Sequence, residues 1–161
     1  NRAGARPQEA MPVDTATTSG RAKKILIVDD DAVIIKTTSA KLRSHGYQVA
    51  GALDAAEAVS AIRDDRPDLI LLDLSFPPDV AHGGGVDWDG FKIMSWFQRM
   101  DLARNIPIIV ITGGDPARYK ARSLSTGAVA FFNKPIHHDE LLTAIAQVLR
   151  GEDGQVTPGG A

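Results

Sequence analysis

The sequence predicts a doubly wound α/β domain, in which a parallel sheet packs between two layers of helices. Residues 25–28 and 69–72 are apolar without alternation, which is typical of strands covered on both faces. Segments with helical periodicity alternate with these and with further apolar segments along the chain. We therefore predict five strands and five helices, with residues 23–150 forming one unit.

Composition excludes several classes of protein. The chain has 161 residues, a formal net charge of -2 and no cysteine, so neither a disulfide framework nor a thiolate metal site is expected. The basic excess of many nucleic-acid binders is not seen, and we expect no direct nucleic-acid contact. No apolar segment approaches the length of a membrane span, and no secretory signal is recognisable. A cytoplasmic location is expected.

The two ends of the chain differ from its centre. Residues 1–22 are rich in Ala, Thr, Pro, Gly and Arg without apolar periodicity, and we predict a disordered tail or linker. Residues 151–161 are rich in glycine and are predicted to be a flexible tail. We expect no effector domain after Arg150, so the chain is either a single-domain protein or part of a longer one.

The predicted elements follow one another with few long connections. Val33, Ile34, Ile35, Thr38 and Leu42 form an apolar stripe on the first helix. The predicted strands after the first cover residues 47–53, 69–73, 106–111 and 129–133, and the predicted helices cover 32–45, a segment from Asp54 to before Arg66, a segment from near Phe91, 116–126 and 138–149. Asp31 and Asp54 are expected to cap helices, with Glu57 completing a capping box, and Gly46 and Gly127 to end them.

Polar residues follow the predicted strands and converge if these are parallel. Asp29 and Asp30 follow the first strand, Asp73 ends the third, Thr112 follows the fourth and Lys134 follows the fifth. Ligands in such sheets bind at the carboxyl ends of the strands. Three close carboxylates favour a divalent cation with oxygen ligands, Mg²⁺ or Mn²⁺. A lysine and a hydroxyl beside it suit a phosphoryl group, toward which Asp73 is a candidate nucleophile.

Four segments in this order resemble the receiver domain of bacterial two-component response regulators. They read Ile-Leu-Ile-Val-Asp-Asp-Asp, Leu-Ile-Leu-Leu-Asp, Pro-Ile-Ile-Val-Ile-Thr-Gly and Phe-Phe-Asn-Lys-Pro-Ile. The resemblance covers residues 23–150. It implies a flavodoxin-like (βα)5 fold with strand order 2-1-3-4-5. It also implies a signalling switch that accepts a phosphoryl group on Asp73 from a histidine kinase or a histidine phosphotransfer protein, and so catalyses its own phosphorylation and dephosphorylation.

The resemblance assigns the metal ligands. Asp30 would bind Mg²⁺ directly, and Asp29 would bind it mainly through water. Asp73 and the backbone carbonyl of Ser75 would complete the protein's share of the ligands. Lys134 would contact the phosphoryl group.

The resemblance also assigns a switch. Thr112 would move toward the phosphoryl group, and the ring of Phe131 would turn inward behind it. The peptide bond between Lys134 and Pro135 is expected to be cis. The output face would be the fourth helix, fifth strand and fifth helix, which would control an unidentified downstream protein.

The chain departs from the family between Pro78 and Asp89, where the loop is longer by roughly nine residues. Three roles are open for the insertion on sequence alone: shielding the phosphoryl group, contacting a partner, or forming a surface loop without a special role. Ser75 and Gly114 stand where the family tunes loss of the phosphoryl group, and neither can orient water as an acid or an amide. Slow self-dephosphorylation is therefore expected.

Other functions stay open on sequence alone. The first alternative is a receiver-like interaction module that is not phosphorylated. A metal-dependent phosphatase with an aspartyl-phosphate intermediate would be expected to have an aspartate at the position of Ser75. His137 and His138 are interpreted as exposed residues at the start of the last helix and not as catalytic bases.

Overall fold

The computed structural model describes residues 21–74 and 90–151. Within them, five strands alternate with five helices. The strands are β1 (Lys24–Val28), β2 (Gln48–Ala52), β3 (Leu69–Asp73), β4 (Ile108–Thr112) and β5 (Ala130–Asn133). The helices are α1 (Ala32–Ser44), α2 (Ala55–Asp64), α3 (Gly90–Arg99), α4 (Pro116–Ser125) and α5 (His138–Leu149).

The strands form one parallel sheet in the order β2-β1-β3-β4-β5. This is the doubly wound order that the resemblance implied. β3 is the central strand, and all five of its residues are buried. Successive strand residues face opposite sides of the sheet, because side chains alternate along a strand. The uninterrupted apolar run at residues 69–72 is thereby explained.

Two apolar clusters lie on the two faces of the sheet. On one face, residues of α2 and α3, with the ring of Tyr119 from α4, pack against Leu26, Val28, Ile70 and Leu72. On the other, residues of α1 and α5 pack against Ile25, Ile27, Leu69 and Leu71. The helices thus cover both faces and leave the strand ends for polar residues.

Local sequence signals start and stop the helices as predicted. The Asp31 side chain accepts hydrogen bonds from Val33 N and Ile34 N at the start of α1. Asp54 Oδ1 accepts from Glu57 N at 2.8 Å, and Glu57 Oε2 in turn accepts from Leu53 N, one residue before the cap, at 2.7 Å. Gly46 has a φ of 89° just after α1, a conformation that glycine adopts at little cost.

One prediction about packing and one about a strand boundary were wrong in detail. Val33 is 67% exposed instead of facing the core, because α1 buries Thr38, Ser39 and Leu42 on its inner face. The fourth strand was predicted to begin at Ile106 but begins at Ile108. Ile106 N instead donates to Ala103 O in the turn before it, so its apolar side chain is buried without being part of the strand. The other predicted boundaries agree within about two residues.

None of the helices in the described ranges is long and apolar enough to span a bilayer. The predicted tails, 1–22 and 151–161, fall almost entirely outside the described residues, as do Ser75 and the inserted loop.

Candidate functional site

Three carboxylates meet where β1 and β3 end. Val28 pairs with Leu72 in the sheet, so the next residues, Asp29 and Asp73, leave neighbouring strands at the same level. Both side chains are buried, with 3% and 2% of their surfaces exposed, and Asp30 beside them is exposed. One carboxylate oxygen from each of the three lies within 4.8 Å of the others. Buried like charges at this distance repel each other and need a compensating cation.

Lys134 supplies one positive charge to this cluster. Its ammonium donates to Asp29 Oδ2 at 2.9 Å and to Asp73 Oδ2 at 3.0 Å. Its backbone N–H donates to Thr112 O, which fixes the start of the loop after β5 beside β4. Burial by itself would lower the pKa of Lys134, but hydrogen bonds and charge from the two aspartates raise it above its ordinary value of 10.5. Lys134 is therefore charged at neutral pH.

Asp29 is also held by hydrogen bonds with backbone groups. Asp29 Oδ1 accepts from Asp31 N at 2.9 Å, and Asp29 N donates to Ala52 O of β2 at 3.1 Å. Asp29 thus uses one oxygen for the start of α1 and the other for Lys134. Its side chain has little freedom to move.

Thr112 ends β4 on the other side of Asp73. Thr112 is 1% exposed, and its Oγ1 accepts a hydrogen bond from Gly114 N at 3.2 Å. Asn133 Nδ2 donates to Gly114 O at 2.9 Å, so the turn after β4 is tied to the end of β5. Asn133 was not identified from the sequence as a site residue.

Phe131 lies on β5 directly opposite Val110 of β4. Its ring is 4% exposed and belongs to the cluster covered by α2 and α3. The bond between Lys134 and Pro135 is cis, as expected. His137 is exposed at the N-cap position of α5, and its side chain makes no capping hydrogen bond.

The cluster fits a small hard cation. Its donors are oxygens of Asp29, Asp30 and Asp73, which is the ligand type that Mg²⁺ and Mn²⁺ prefer. Among the described residues, three carboxylates face one ammonium, so a divalent ion is favoured by charge as well. Ser75, whose carbonyl was the further predicted ligand, lies outside the described residues.

Comparison with known proteins identifies the family. A family model described as the response regulator receiver domain matches residues 25–146. The chain belongs to this family. Among curated relatives of this receiver domain, it is 33% identical over 129 residues to the phosphate regulon transcriptional regulatory protein PhoB of Escherichia coli (strain K12), covering 80% of the chain and 52% of PhoB. It is 30% identical over 145 residues to the transcriptional regulatory protein PrrA of Mycobacterium tuberculosis, covering 90% of the chain and 56% of PrrA.

Solved structures agree with this receiver fold. The CheY-like response regulator receiver domain protein from Methanospirillum hungatei JF-1 has a TM-score of 0.69 and 30% identity, covering 81% of this chain and 96% of that one. Chemotaxis protein CheY4 of Vibrio cholerae has a TM-score of 0.68 and 26% identity, covering 80% and 99%. The receiver domain spans about half the length of the curated relatives it matches.

Proposed function

We propose that this receiver domain is a phosphorylation-dependent switch that accepts a phosphoryl group on Asp73. The donor would be a phosphohistidine of a histidine kinase or of a histidine phosphotransfer protein. The main support for the proposal is that Lys134 donates hydrogen bonds to both Asp29 and Asp73, with Asp30 beside them. The family's relatives include transcriptional regulators, which supports a signalling role.

The transfer requires few chemical steps from the protein. A carboxylate oxygen of Asp73 would attack phosphorus and form an O–P bond while the P–N bond of the phosphohistidine breaks. The imidazole nitrogen keeps the electron pair and takes up a proton. Lys134, already 3.0 Å from Asp73, would hold one phosphoryl oxygen by a charge-assisted hydrogen bond, and the Thr112 hydroxyl would donate to another.

Asp29, Asp30, Asp73 and the backbone carbonyl of Ser75 would hold Mg²⁺, with Mn²⁺ as a possible substitute. When bound, the ion neutralises negative charge on the phosphoryl oxygens and orients them. Asp29 is fixed by Asp31 N and Lys134, which supports the role through water that the resemblance gave it, whereas Asp30 is exposed and accessible.

The switch would run from the site to the face formed by α4, β5 and α5. Thr112 and Phe131 lie on the adjacent strands β4 and β5, which supports their coupling. The target would be a protein, with no direct nucleic-acid contact and no membrane insertion. Residues 23–150 would be the folded unit, with residues 1–22 and 151–161 as tails. The proposal includes a cytoplasmic location and slow self-dephosphorylation.

Intact mass spectrometry after incubation with acetyl phosphate tests the proposal. We expect one phosphoryl addition that needs Mg²⁺ and is lost in Asp73→Asn. Asp101→Asn is a matched control, since Asp101 is exposed and pairs with Arg104 by the end of α3. If folded protein that binds Mg²⁺ gains no mass, the phosphoacceptor role is wrong. The unphosphorylated interaction module is then the better description.

A further inference from the structure

The ring of Tyr119 lies directly against Gly114, two residues after Thr112. A Cβ atom added at Gly114 would lie 2.7 Å from the ring atom Cδ2 of Tyr119, which is closer than carbon atoms pack. Gly114 does not have the positive φ found at Gly46 and Gly127. Glycine is therefore required here by the approach of the ring and not by the backbone conformation.

The ring of Tyr119 is itself held by aromatic and cationic contacts. It stacks on Phe91 of α3, with centroids 6.0 Å apart and planes at 24°. Arg122 Cζ lies 3.9 Å from the centroid of Phe91, and Arg118 Cζ lies 5.6 Å from that of Tyr119, both within reach of cation–π attraction. These contacts hold the ring between α3 and α4.

The residue before Phe91 packs against Asp73 and Leu74 at the end of β3. Gly90, the residue before Phe91, packs so closely that an added Cβ would lie 2.5 Å from Leu74 Cα and 3.1 Å from Asp73 O. The start of α3 thus contacts the last residue of β3 and the residue after it. The Phe91–Tyr119 pair therefore connects the end of β3 to the turn after β4, the two segments that flank the site.

Gly114 is hydrogen-bonded to both Thr112 and Asn133. Gly114 N donates to Thr112 Oγ1 at 3.2 Å, and Gly114 O accepts from Asn133 Nδ2 at 2.9 Å. A threonine hydroxyl has one proton and two lone pairs. Since the Gly114 N–H uses an acceptor lone pair, the hydroxyl proton points elsewhere, and the position of Gly114 limits the orientations open to the hydroxyl.

We propose that Tyr119 is a positioning residue for the phosphoryl group. Its ring holds Gly114 where the Gly114 N–H orients the Thr112 hydroxyl as a donor toward the phosphoryl group on Asp73. Tyr119 acts through Gly114 and Thr112 and not by contact with the reacting atoms. This inference rests on the proposed function of the site.

The first test measures the amide of Gly114 by NMR and does not depend on phosphorylation. In Tyr119→Ala, we expect the Gly114 amide proton to exchange about tenfold faster, because its hydrogen bond to Thr112 loosens. Tyr119→Phe keeps the ring and should retain the wild-type signal. Tyr47→Ala is the matched control, since Tyr47 is a half-buried tyrosine in the other apolar cluster. An unchanged Gly114 amide in Tyr119→Ala overturns the proposal.

The second test measures the rate constant of phosphorylation by phosphoramidate at saturating Mg²⁺. We expect about a tenfold fall in Tyr119→Ala with an unchanged Kd for Mg²⁺, and recovery in Tyr119→Phe, because one oriented donor to the transition state is lost. In a Thr112→Val background, Tyr119→Ala should cause no further fall. An equal fall in both backgrounds shows that Tyr119 acts by another route and refutes the proposal.

Misfolding of the alanine variant and failure of the proposed function can be told apart from failure of this inference. Tyr119→Leu retains apolar bulk and replaces Tyr119→Ala in both tests if the alanine variant does not fold. If the wild-type protein takes no phosphoryl group, the proposed function fails, and the Gly114 amide still decides whether Tyr119 positions the turn.

Discussion

The ammonium of Lys134 lies 3.0 Å from Oδ2 of Asp73, although β4 separates the strands from which the two residues extend. Lys134 reaches this position because its backbone N–H is bonded to Thr112 O at the end of β4. The same ammonium lies 2.9 Å from Asp29 Oδ2. One side chain that follows β5 thus compensates carboxylates that follow β1 and end β3.

Replacing Lys134 by methionine should destabilise the domain most when no divalent cation is present. The change leaves two buried carboxylates without their shared ammonium, and loss of one partner from such a group costs about 3 kcal/mol. Urea unfolding in EDTA measures this loss in the free energy of unfolding. Lys36→Met, on the exposed surface of α1, is the control. Saturating Mg²⁺ should return part of the lost stability. Equal stability of the two variants in EDTA would show that Lys134 does not compensate the cluster.

Mg²⁺ should stabilise the wild-type domain against unfolding. A ligand that binds only the folded state at about 100 times its Kd adds about 2.7 kcal/mol. Asp30→Asn should reduce this increment, because it removes the exposed carboxylate of the cluster, whereas Asp101→Asn should keep it. Thermal unfolding with and without Mg²⁺ provides the comparison. The same increment in Asp30→Asn and wild type would exclude Asp30 as a ligand.

Gly127→Ala should destabilise the domain more than Gly46→Ala. Both glycines have positive φ, 112° and 89°, which costs other residues about 1 kcal/mol. A Cβ at Gly46 meets no atom within 4 Å, whereas one at Gly127 overlaps the amide of Gln98, whose Nε2 donates to Thr126 O. The difference in free energy of unfolding between the two variants therefore measures the cost of displacing Gln98.

Removing Gln98 checks this explanation. In a Gln98→Ala background, the two glycine substitutions should become nearly equal. If Gly127→Ala stays more costly there, the overlap with Gln98 is not the cause.

The carboxyl group of Asp65 should titrate below its ordinary pKa of 3.8. A hydrogen bond and the charge of Lys24 lower the pKa of Asp65, with a smaller contribution from Arg21. Because the folded-state pKa is lowered, the stabilisation is present above pH 3.8 and is lost as the pH falls through the folded-state pKa. NMR titration should show the pKa rising in Lys24→Met and staying low in Lys23→Met. A low pKa in Lys24→Met would contradict the assignment to Lys24.

Much of the fold was predictable because its signals are local. The apolar runs of β1 and β3, the caps at Asp31 and Asp54 and the turn at Gly46 are each fixed by neighbouring residues. The convergence of Asp29, Asp73 and Lys134 followed from parallel strands, and the structure brings these side chains into hydrogen-bond contact.

Features that depend on tertiary contacts were not predictable. Val33 has an apolar side chain at a helical position, but which side of α1 faces the sheet is decided by packing against the sheet. The contact of Tyr119 with Gly114 spans five residues at the start of α4, but the position of the ring depends on its stacking on Phe91 of α3. The roles of the site residues stay predictions, since they depend on a metal ion and a phosphoryl donor.

The most direct measurement locates the phosphoryl group on the chain. Protein treated with acetyl phosphate and Mg²⁺ is reduced with borohydride, which converts an aspartyl phosphate into homoserine, and its peptides are then sequenced by mass spectrometry. We predict homoserine at position 73, dependent on both the donor and the metal. Homoserine at another aspartate, or none in folded protein with Mg²⁺ bound, would contradict it.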